Sequence, residues 1–145
     1  MLIELNVDKR KTCDIIYLDV HRIKILKGND IMEQFCEYIE TKICELSEKE
    51  KNFAETYRQD DAVFVKIEKN VYDICKTVFG VFKNTKPEES FYEEYLKKLD
   101  EFEKAWSDSA EKAKRFSDLK KTAAEEAKLS ALENIRKKFI EYRGE

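Results

Sequence analysis

The chain is almost without glycine and proline. Its 145 residues include three glycines and one proline, and residues 88–143 contain neither. Because glycine and proline are the residues that most often break helices and form turns, their scarcity predicts long helices. It also excludes the glycine-rich loops that hold phosphate groups in P-loop and Rossmann sites.

Histidine and recognisable catalytic motifs are also scarce. His21 is the single histidine, and no motif links it to a serine or cysteine nucleophile. Acidic pairs such as Asp60-Asp61 and Glu125-Glu126 lie among lysines, in patterns typical of helix caps and solvated faces rather than clefts. The four cysteines form no C-x-x-C pair of the kind found in zinc sites: Cys13, Cys36, Cys44 and Cys75. We therefore predict a protein that is not an enzyme and that uses no metal or small-molecule cofactor.

The charge of the chain is nearly balanced. The net charge is −3 and the pI is about 5.5. Residues 107–145 contribute 10 basic and 8 acidic side chains, which leaves 18 basic and 23 acidic ones for residues 1–106. Because a dedicated nucleic-acid-binding protein usually has a clustered basic patch, nucleic acid is not the partner that we expect. The lysines of the C-terminal part keep weak phosphate contact open.

The cellular location is predicted from the absence of a recognisable signal peptide and of an apolar run long enough to span a membrane. Residues 1–5 lack the basic region and cleavage site of a signal peptide, and no apolar run approaches the length of a membrane span. Cys36 and Cys75 lie on apolar helix faces, where a reduced thiol behaves as a small hydrophobic side chain. We expect a cytoplasmic protein without a membrane span.

The first part of the chain predicts strands. Residues 2–7 alternate between polar and apolar side chains, and residues 15–25 are rich in β-branched ones. A short polar link joins the two segments. The sequence therefore predicts a small antiparallel β-hairpin over residues 2–25, which gives an α+β fold class that is mainly α.

Three helices are predicted after this hairpin, over residues 30–46, 61–80 and 86–106. Apolar side chains recur at three- and four-residue steps in each, and residues 61–80 are the most apolar, as expected of the central core helix. Thr85, Pro87 and Glu88 resemble a helix start with a threonine cap. Ser47 to Glu50 either restarts a second short helix or belongs to the end of the first. Residues 1–106 are predicted to be a small α+β core domain.

Residues 107–145 are predicted to be an extended, charged C-terminal helix that continues the third one. An unbroken helix over residues 88–143 would be about 85 Å long at 1.5 Å per residue, longer than a compact domain of this size is wide. Either it bends back near residues 107–109 or 117–118, or it projects. We favour a projecting arm that pairs with a partner, as in a coiled coil. Its candidate protein-binding residues are Trp106, Phe116, Leu132, Ile135 and Phe139.

The order of these elements resembles the small tail-assembly chaperones of bacteriophages that infect low-GC Gram-positive bacteria. The likeness rests on Ile3-Glu4-Leu5-Asn6-Val7 and on residues 67–82, I-E-K-N-V-Y-D-I-C-K-T-V-F-G-V-F, and covers roughly residues 1–105. The long Ala/Lys/Glu tail departs from that pattern. The resemblance implies a non-enzymatic protein that binds an extended tape-measure protein and helps tail-tube protein to polymerise. It also implies the host-cell cytoplasm as the location.

Two functions follow as hypotheses. The first is a non-catalytic interaction or assembly protein that binds another protein, or its own copy, through the C-terminal helix. The alternative is an acidic, phage-encoded anti-defence inhibitor that occupies the nucleic-acid channel of a nuclease, suggested by the negative balance of residues 1–106. An acidic patch on one face would favour the inhibitor, whereas an even mixture of charges would count against it.

Overall fold

The computed structural model describes residues 31–143. They form four α-helices, which account for 93% of these residues, and no strand occurs among them. The helices are α1 (Ile31–Glu55), α2 (Gln59–Thr85), α3 (Glu88–Arg115) and α4 (Leu119–Arg143). Each has one apolar side, and the fold buries these four sides against one another.

The four helices form two helical hairpins. Hairpin 1 consists of α1 and α2, and hairpin 2 consists of α3 and α4. Each has a three-residue turn with a left-handed central residue, Tyr57 with φ of 61° and Ser117 with φ of 56°. In each turn, the backbone N–H that follows this residue donates to a carbonyl five positions earlier: Arg58 to Phe53 at 2.8 Å, Asp118 to Ala113 at 2.9 Å. This is the Schellman arrangement, which satisfies the last carbonyls of a helix.

The two hairpins are related by an approximate two-fold axis, with equivalent residues 60 positions apart. The Phe35 and Phe79 ring centroids are 5.0 Å apart, and those of their equivalents, Tyr95 and Phe139, are 4.8 Å apart. Across the axis, Phe35 lies 5.0 Å from Phe139, and Phe79 lies 5.4 Å from Tyr95. We call these four side chains the aromatic cluster. A rotation of 180° about the axis places Phe35 on Tyr95 and Phe79 on Phe139.

The inner helices of the fold are α2 and α4, each of which packs against the other three. They run in the same general direction, because Phe79 meets Phe139 at one end while Val65 approaches Ala131 further along. Both turns consequently lie at one end of the molecule. The aromatic cluster and the Lys86–Pro87 link lie at the other end, called here the aromatic end.

The prediction of an α+β fold class is wrong for the described part of the chain, which is all-α. The β-hairpin that this prediction placed at residues 2–25 lies outside the described residues.

The prediction of a long C-terminal helix, projecting or in a coiled coil, is also wrong. The helix ends at Arg115, and α4 folds back along α3, so that the bend occurs at the second of the two sites considered, residues 117–118. Packing decides this outcome, because Leu132, Ile135 and Phe139 become buried in the core.

The domain boundary predicted at residue 106 falls inside α3, and residues on both sides of it line one core.

The predicted helix ends differ from the observed ones. Both helices of hairpin 1 are longer than predicted: α1 continues past Ser47 to Glu55, and α2 continues through Gly80 to Thr85. Thr85 is the last residue of α2 and its hydroxyl donates to the carbonyl of Val81 at 2.7 Å. It therefore does not cap α3, whose N-cap is Pro87.

Candidate functional site

Three large apolar side chains stand out from the turn end of the molecule. Tyr57 is 92% exposed, Phe116 is 74% exposed and Leu119 is 82% exposed. Tyr57 and Phe116 lie in the two turns and Leu119 is the first residue of α4. We call these three side chains the tip surface. Exposed aromatic and leucine side chains that contribute nothing to the core are common anchors for a partner, because burying each of them removes apolar area from water.

Folding itself places these side chains outside. A helix that ends in a left-handed residue turns away from its own axis, so residues at the turn cannot reach the core. Phe116 is the C-cap of α3, and its N–H donates to the carbonyl of Lys112 at 3.2 Å. Residues 108–116 leave a shallow depression of about 420 Å³ beside the Phe116 ring, lined by Asp108, Glu111, Lys112, Arg115 and Phe116.

Charges around the two turns are opposite at equivalent positions. Asp60 and Asp61 in hairpin 1 correspond to Lys120 and Lys121 in hairpin 2. The same inversion holds for the pairs Glu55/Arg115 and Arg58/Asp118. The turn of hairpin 1 thus carries mainly acidic side chains and the turn of hairpin 2 mainly basic ones.

A second apolar surface follows the outward side of α2. Val63 is 48% exposed, Ile74 is 40% exposed and Val81 is 51% exposed. Ile67 and Val78, both half-buried, complete the row, which we call the outer stripe. The spacing of 4, 7, 4 and 3 residues keeps all five side chains on one side of a helix. Three of the five side chains thus face away from the core, although α2 was predicted to be the central core helix.

Between the hairpins lies an open groove of about 340 Å³. It forms where the small side chains of Ala127, Ser130 and Ala131 on α4 face Phe53 and Phe64 of hairpin 1. Lys49, Asp61 and Glu68 lie at its rim. The groove has room for a side chain of a partner, and it contains no pair of groups in nucleophile–base arrangement.

The residues predicted to bind a partner fall into three groups by burial. Leu132, Ile135 and Phe139 are buried in the core and are not available on this surface. Trp106 is half-buried, stacked on Phe102 with ring centroids 5.4 Å apart and with the Lys128 ammonium 5.7 Å from its ring. Phe116 alone is largely exposed, and its role as an anchor stays a prediction.

Sequence reasoning missed Tyr57 and Leu119. Leu119 directly follows the Ser117-Asp118 turn and lies outside the apolar row of Leu132, Ile135 and Phe139. This position could have indicated an exposed apolar side chain. Tyr57 carried no such signal, because it fitted the apolar period of the preceding helix.

The three titratable groups whose pKa values are raised most lie inside the core. Burial raises the pKa of the Cys75 thiol to about 12. Burial is also the main reason why the pKa of Tyr72 is raised, with a further contribution from Tyr38, whose hydroxyl is 3.3 Å away. Burial raises the pKa of Tyr95, whose hydroxyl donates to the Cys75 carbonyl at 2.8 Å. All three groups stay protonated at neutral pH, which gives them structural roles.

Among residues 31–143, no group of three or more His, Cys, Asp or Glu side chains is arranged to hold a metal ion. Over the same residues, every helix is too polar or too short in its apolar stretch to span a bilayer.

Hairpin 1 has lysine–glutamate pairs at its surface, for example Lys69–Glu50 at 2.9 Å and Lys76–Glu40 at 3.4 Å. Its described surface thus carries charges of both signs, and the acidic inhibitor stays a prediction.

Comparison with known proteins gave no match to a protein-family model, to a curated protein or to a solved structure.

Proposed function

We propose that this protein acts by binding another protein, or a second copy of itself, through the tip surface, as a non-catalytic assembly factor. In the most specific version it is a tail-assembly chaperone of a bacteriophage. The observation that carries the proposal is the exposure of Tyr57, Phe116 and Leu119 at the turn end of the fold.

The chemistry of the tip surface supports a protein partner. Aromatic side chains in the centre of a contact contribute most of its binding energy, and each fully buried Phe or Leu contributes about 1.5–3 kcal/mol. The depression beside Phe116 has room for one side chain of the partner. The surrounding charges orient the partner and speed its approach rather than adding much affinity.

The inverted charges describe the complementary surface. A partner that contacts both turns fits best if it is basic where it meets Asp60 and Asp61, and acidic where it meets Lys120 and Lys121. A second copy that is turned by 180° meets these conditions. A coiled-coil protein with an apolar seam between rows of mixed charge meets them as well, and this is the kind of partner that the chaperone version requires.

Site-specific photo-crosslinking tests the proposal. A photoreactive phenylalanine analogue replaces Phe116 in one variant and, as the control, Asn134 on the outward side of α4 in another. Both are produced in the native host cells and irradiated there, and adducts are identified by mass. We expect a discrete protein adduct from position 116 and none from position 134.

The adduct distinguishes the versions of the proposal. An adduct of twice the chain mass identifies a second copy, and an adduct with an extended coiled-coil or tail-tube protein supports the chaperone. If position 116 gives no adduct, or the same adducts as position 134, the tip surface is not a binding site and the proposal fails.

A further inference from the structure

We propose that the partner of the tip surface is a second copy of this chain, bound turn end to turn end, with hairpin 1 of each copy against hairpin 2 of the other. This inference rests on the proposed function and names its partner. It is supported by the signs of the charges at equivalent positions, by the place of these charges on the helices, and by the direction of the two-fold axis.

The signs of equivalent charges differ between the turn end and the rest of the fold. Between residues 51–68 and 111–128, seven pairs of equivalent positions are charged in both hairpins, and all seven have opposite signs. The four pairs at the turns belong to this set, and the other three are Lys51/Glu111, Lys66/Glu126 and Glu68/Lys128.

Outside these ranges the signs are mostly kept. Seven further pairs of equivalent positions are charged in both hairpins, and Glu37/Lys97 alone is opposite in sign. The six pairs of equal sign are Glu33/Glu93, Glu40/Asp100, Glu48/Asp108, Asp73/Glu133, Lys76/Arg136 and Lys83/Arg143. Inversion of charge is therefore a property of the turn end.

Helix stability does not account for the inverted charges. Lys120 and Lys121 lie in the first turn of α4, where the helix dipole disfavours positive charge. Glu55 is the last residue of α1, where the dipole disfavours negative charge. Both turns thus carry charges that oppose the dipole of their own helix.

Attraction between the two hairpins of one chain is not visible as ion pairs either. Among the described residues, the ion pairs of these charges lie within one hairpin, for example Arg58–Asp61 at 2.7 Å and Arg115–Glu111 at 2.8 Å. The acidic and basic turns therefore satisfy each other better in a contact between two molecules.

The direction of the two-fold axis explains why the inversion involves equivalent positions. Both turns lie at one end of the molecule and the aromatic cluster lies at the other, so the axis runs from end to end. A second copy, rotated by 180° about a line perpendicular to this axis, can bring hairpin 1 of each copy to hairpin 2 of the other. Equivalent positions then face each other, and opposite signs attract in both halves of the contact. An unrelated partner does not require this relation.

The tip surface belongs to the same contact. Tyr57 of one copy approaches the turn of hairpin 2 in the other copy, which carries Phe116 and, next to it, Leu119. Six such side chains in two copies bury on the order of 900 Å² at about 150 Å² each. An area of this size is typical of weak, reversible association.

Charge reversal in the full-length chain tests the inference. Asp60→Lys/Asp61→Lys makes both turns basic, and Lys120→Asp/Lys121→Asp makes both turns acidic. We expect a wild-type dimer with a micromolar Kd, and dimers of either variant alone that are at least about tenfold weaker. An equimolar mixture of the two variants should form a heterodimer about as tight as the wild-type dimer. Analytical ultracentrifugation gives the Kd, and native mass spectrometry identifies the heterodimer.

Two features of these variants separate loss of contact from loss of folding. Glu88→Lys/Glu89→Lys is the matched control, because it reverses two acidic side chains in the first turn of α3 at the aromatic end, and it should dimerise like the wild type. Lys120→Asp/Lys121→Asp places acidic side chains at a helix start, where they favour the helix. A weaker dimer in this variant therefore does not result from unfolding.

The inference is overturned if the wild type is a monomer at about 100 μM, well above a micromolar Kd, or if the mixed variants form no heterodimer. Crosslinking from position 116 separates this failure from failure of the proposed function. A monomeric wild type with a discrete adduct of another protein excludes the second copy and retains the tip surface as a binding site. A monomeric wild type without an adduct overturns both.

Discussion

Glu125 illustrates how a single residue breaks the two-fold pattern of the fold. It is only 6% exposed, and its equivalent in hairpin 1 is the core residue Val65. One carboxylate oxygen pairs with Lys128 at 3.1 Å, whereas the other, Oε2, is buried without a hydrogen-bond donor among the described residues. A buried charge that is only partly paired usually destabilises a fold relative to a well-packed apolar side chain.

Replacement of Glu125 by valine is expected to stabilise the protein. The side chain that fits this position in hairpin 1 removes the desolvated carboxylate, and Lys128, whose side chain is about one third exposed, keeps its contact with water. The free energy of unfolding should rise by about 1 kcal/mol, measured by urea denaturation. Glu126→Val is the control, because Glu126 is exposed and its pair with Lys114 adds little. A loss of stability in Glu125→Val would show that the ion pair between Glu125 and Lys128 stabilises the fold.

Cys75 gives the fold a defined response to alkaline pH. Its pKa is about 12 in the folded state against an ordinary value of 9.0, so the unfolded chain releases this proton first as the pH rises. Stability from this group is therefore complete below pH 9 and is lost between pH 9 and 12. The buried hydroxyls of Tyr72 and Tyr95 act in the same direction.

Urea denaturation at pH 8, 9.5 and 11 measures this effect. We expect the wild type to lose stability over this range more steeply than Cys75→Val, in which an apolar side chain occupies the site as Ile135 does in hairpin 2. The difference in slope should be at most about 1.4 kcal/mol per pH unit. Equal slopes would mean that the thiol does not stay protonated in the folded protein.

At the scale of elements, the sequence predicted the positions of three helices but not how they end. The start of α3 at Glu88 was found within two residues, because Pro87 marks it. The break after Arg115 was considered only as an alternative to a continuous helix, because the turn uses Phe116 and Ser117 where glycine is the usual signal. Propensity alone favours a continuous helix there, and only the burial of α4 against α3 makes the break favourable.

Glycine at the two left-handed turn positions is expected to stabilise the hairpins. Tyr57 and Ser117 have φ angles of 61° and 56°, a conformation that strains any residue with a Cβ. Tyr57→Gly and Ser117→Gly should each raise stability by about 0.5–1 kcal/mol, visible as a higher melting temperature. Thr56→Gly, one residue earlier, is the control and should lower it. If both turn variants melt earlier than the wild type, the turns are held by contacts other than backbone geometry.

For the whole molecule, the two-fold relation of the hairpins was not predictable from the sequence. Of the 53 residue pairs between residues 31–83 and 91–143, three are identical: Glu33/Glu93, Ser47/Ser107 and Phe79/Phe139. Even the pairs that join helices differ in chemistry. Lys76–Glu40 corresponds to Arg136–Asp100, but Lys69–Glu50 corresponds to the apolar pair Leu129 and Ala110. The two hairpins share a backbone arrangement while nearly all of their side chains differ. Comparing the two halves of the sequence therefore does not reveal the relation.

The candidate site was accessible from the sequence only in part. Phe116 was identified, because its aromatic side chain continues the apolar row of the helix that precedes it. Leu132, Ile135 and Phe139 were assigned to a partner, because a helix that finds no cover in its own chain shows the same apolar row. Only the tertiary fold distinguishes an apolar side that is covered internally from one that is not.

The aromatic cluster should make the two hairpins unfold as one unit. Phe79→Ala removes a buried ring that contacts both hairpins and should lower stability by about 3–5 kcal/mol. Trp106, the single tryptophan, lies in hairpin 2, so its fluorescence reports on the hairpin that is not mutated. The fluorescence and circular dichroism transitions should shift together to lower urea. Val81→Ala, at an exposed site of the same helix, is the control. A fluorescence transition that stays in place would show that the hairpins are independent.

The two-fold axis has a further consequence for the connectivity of the chain. Two residues join Thr85 at the end of α2 to Glu88 at the start of α3, at the aromatic end. By the two-fold relation, the end of α4 and the start of α1 should be about as close to each other as these two ends are. A short peptide between Arg143 and Ile31 should therefore close the ring of four helices. New ends could then be opened at the Lys86–Pro87 link, giving a circular permutant in which hairpin 2 is synthesised before hairpin 1.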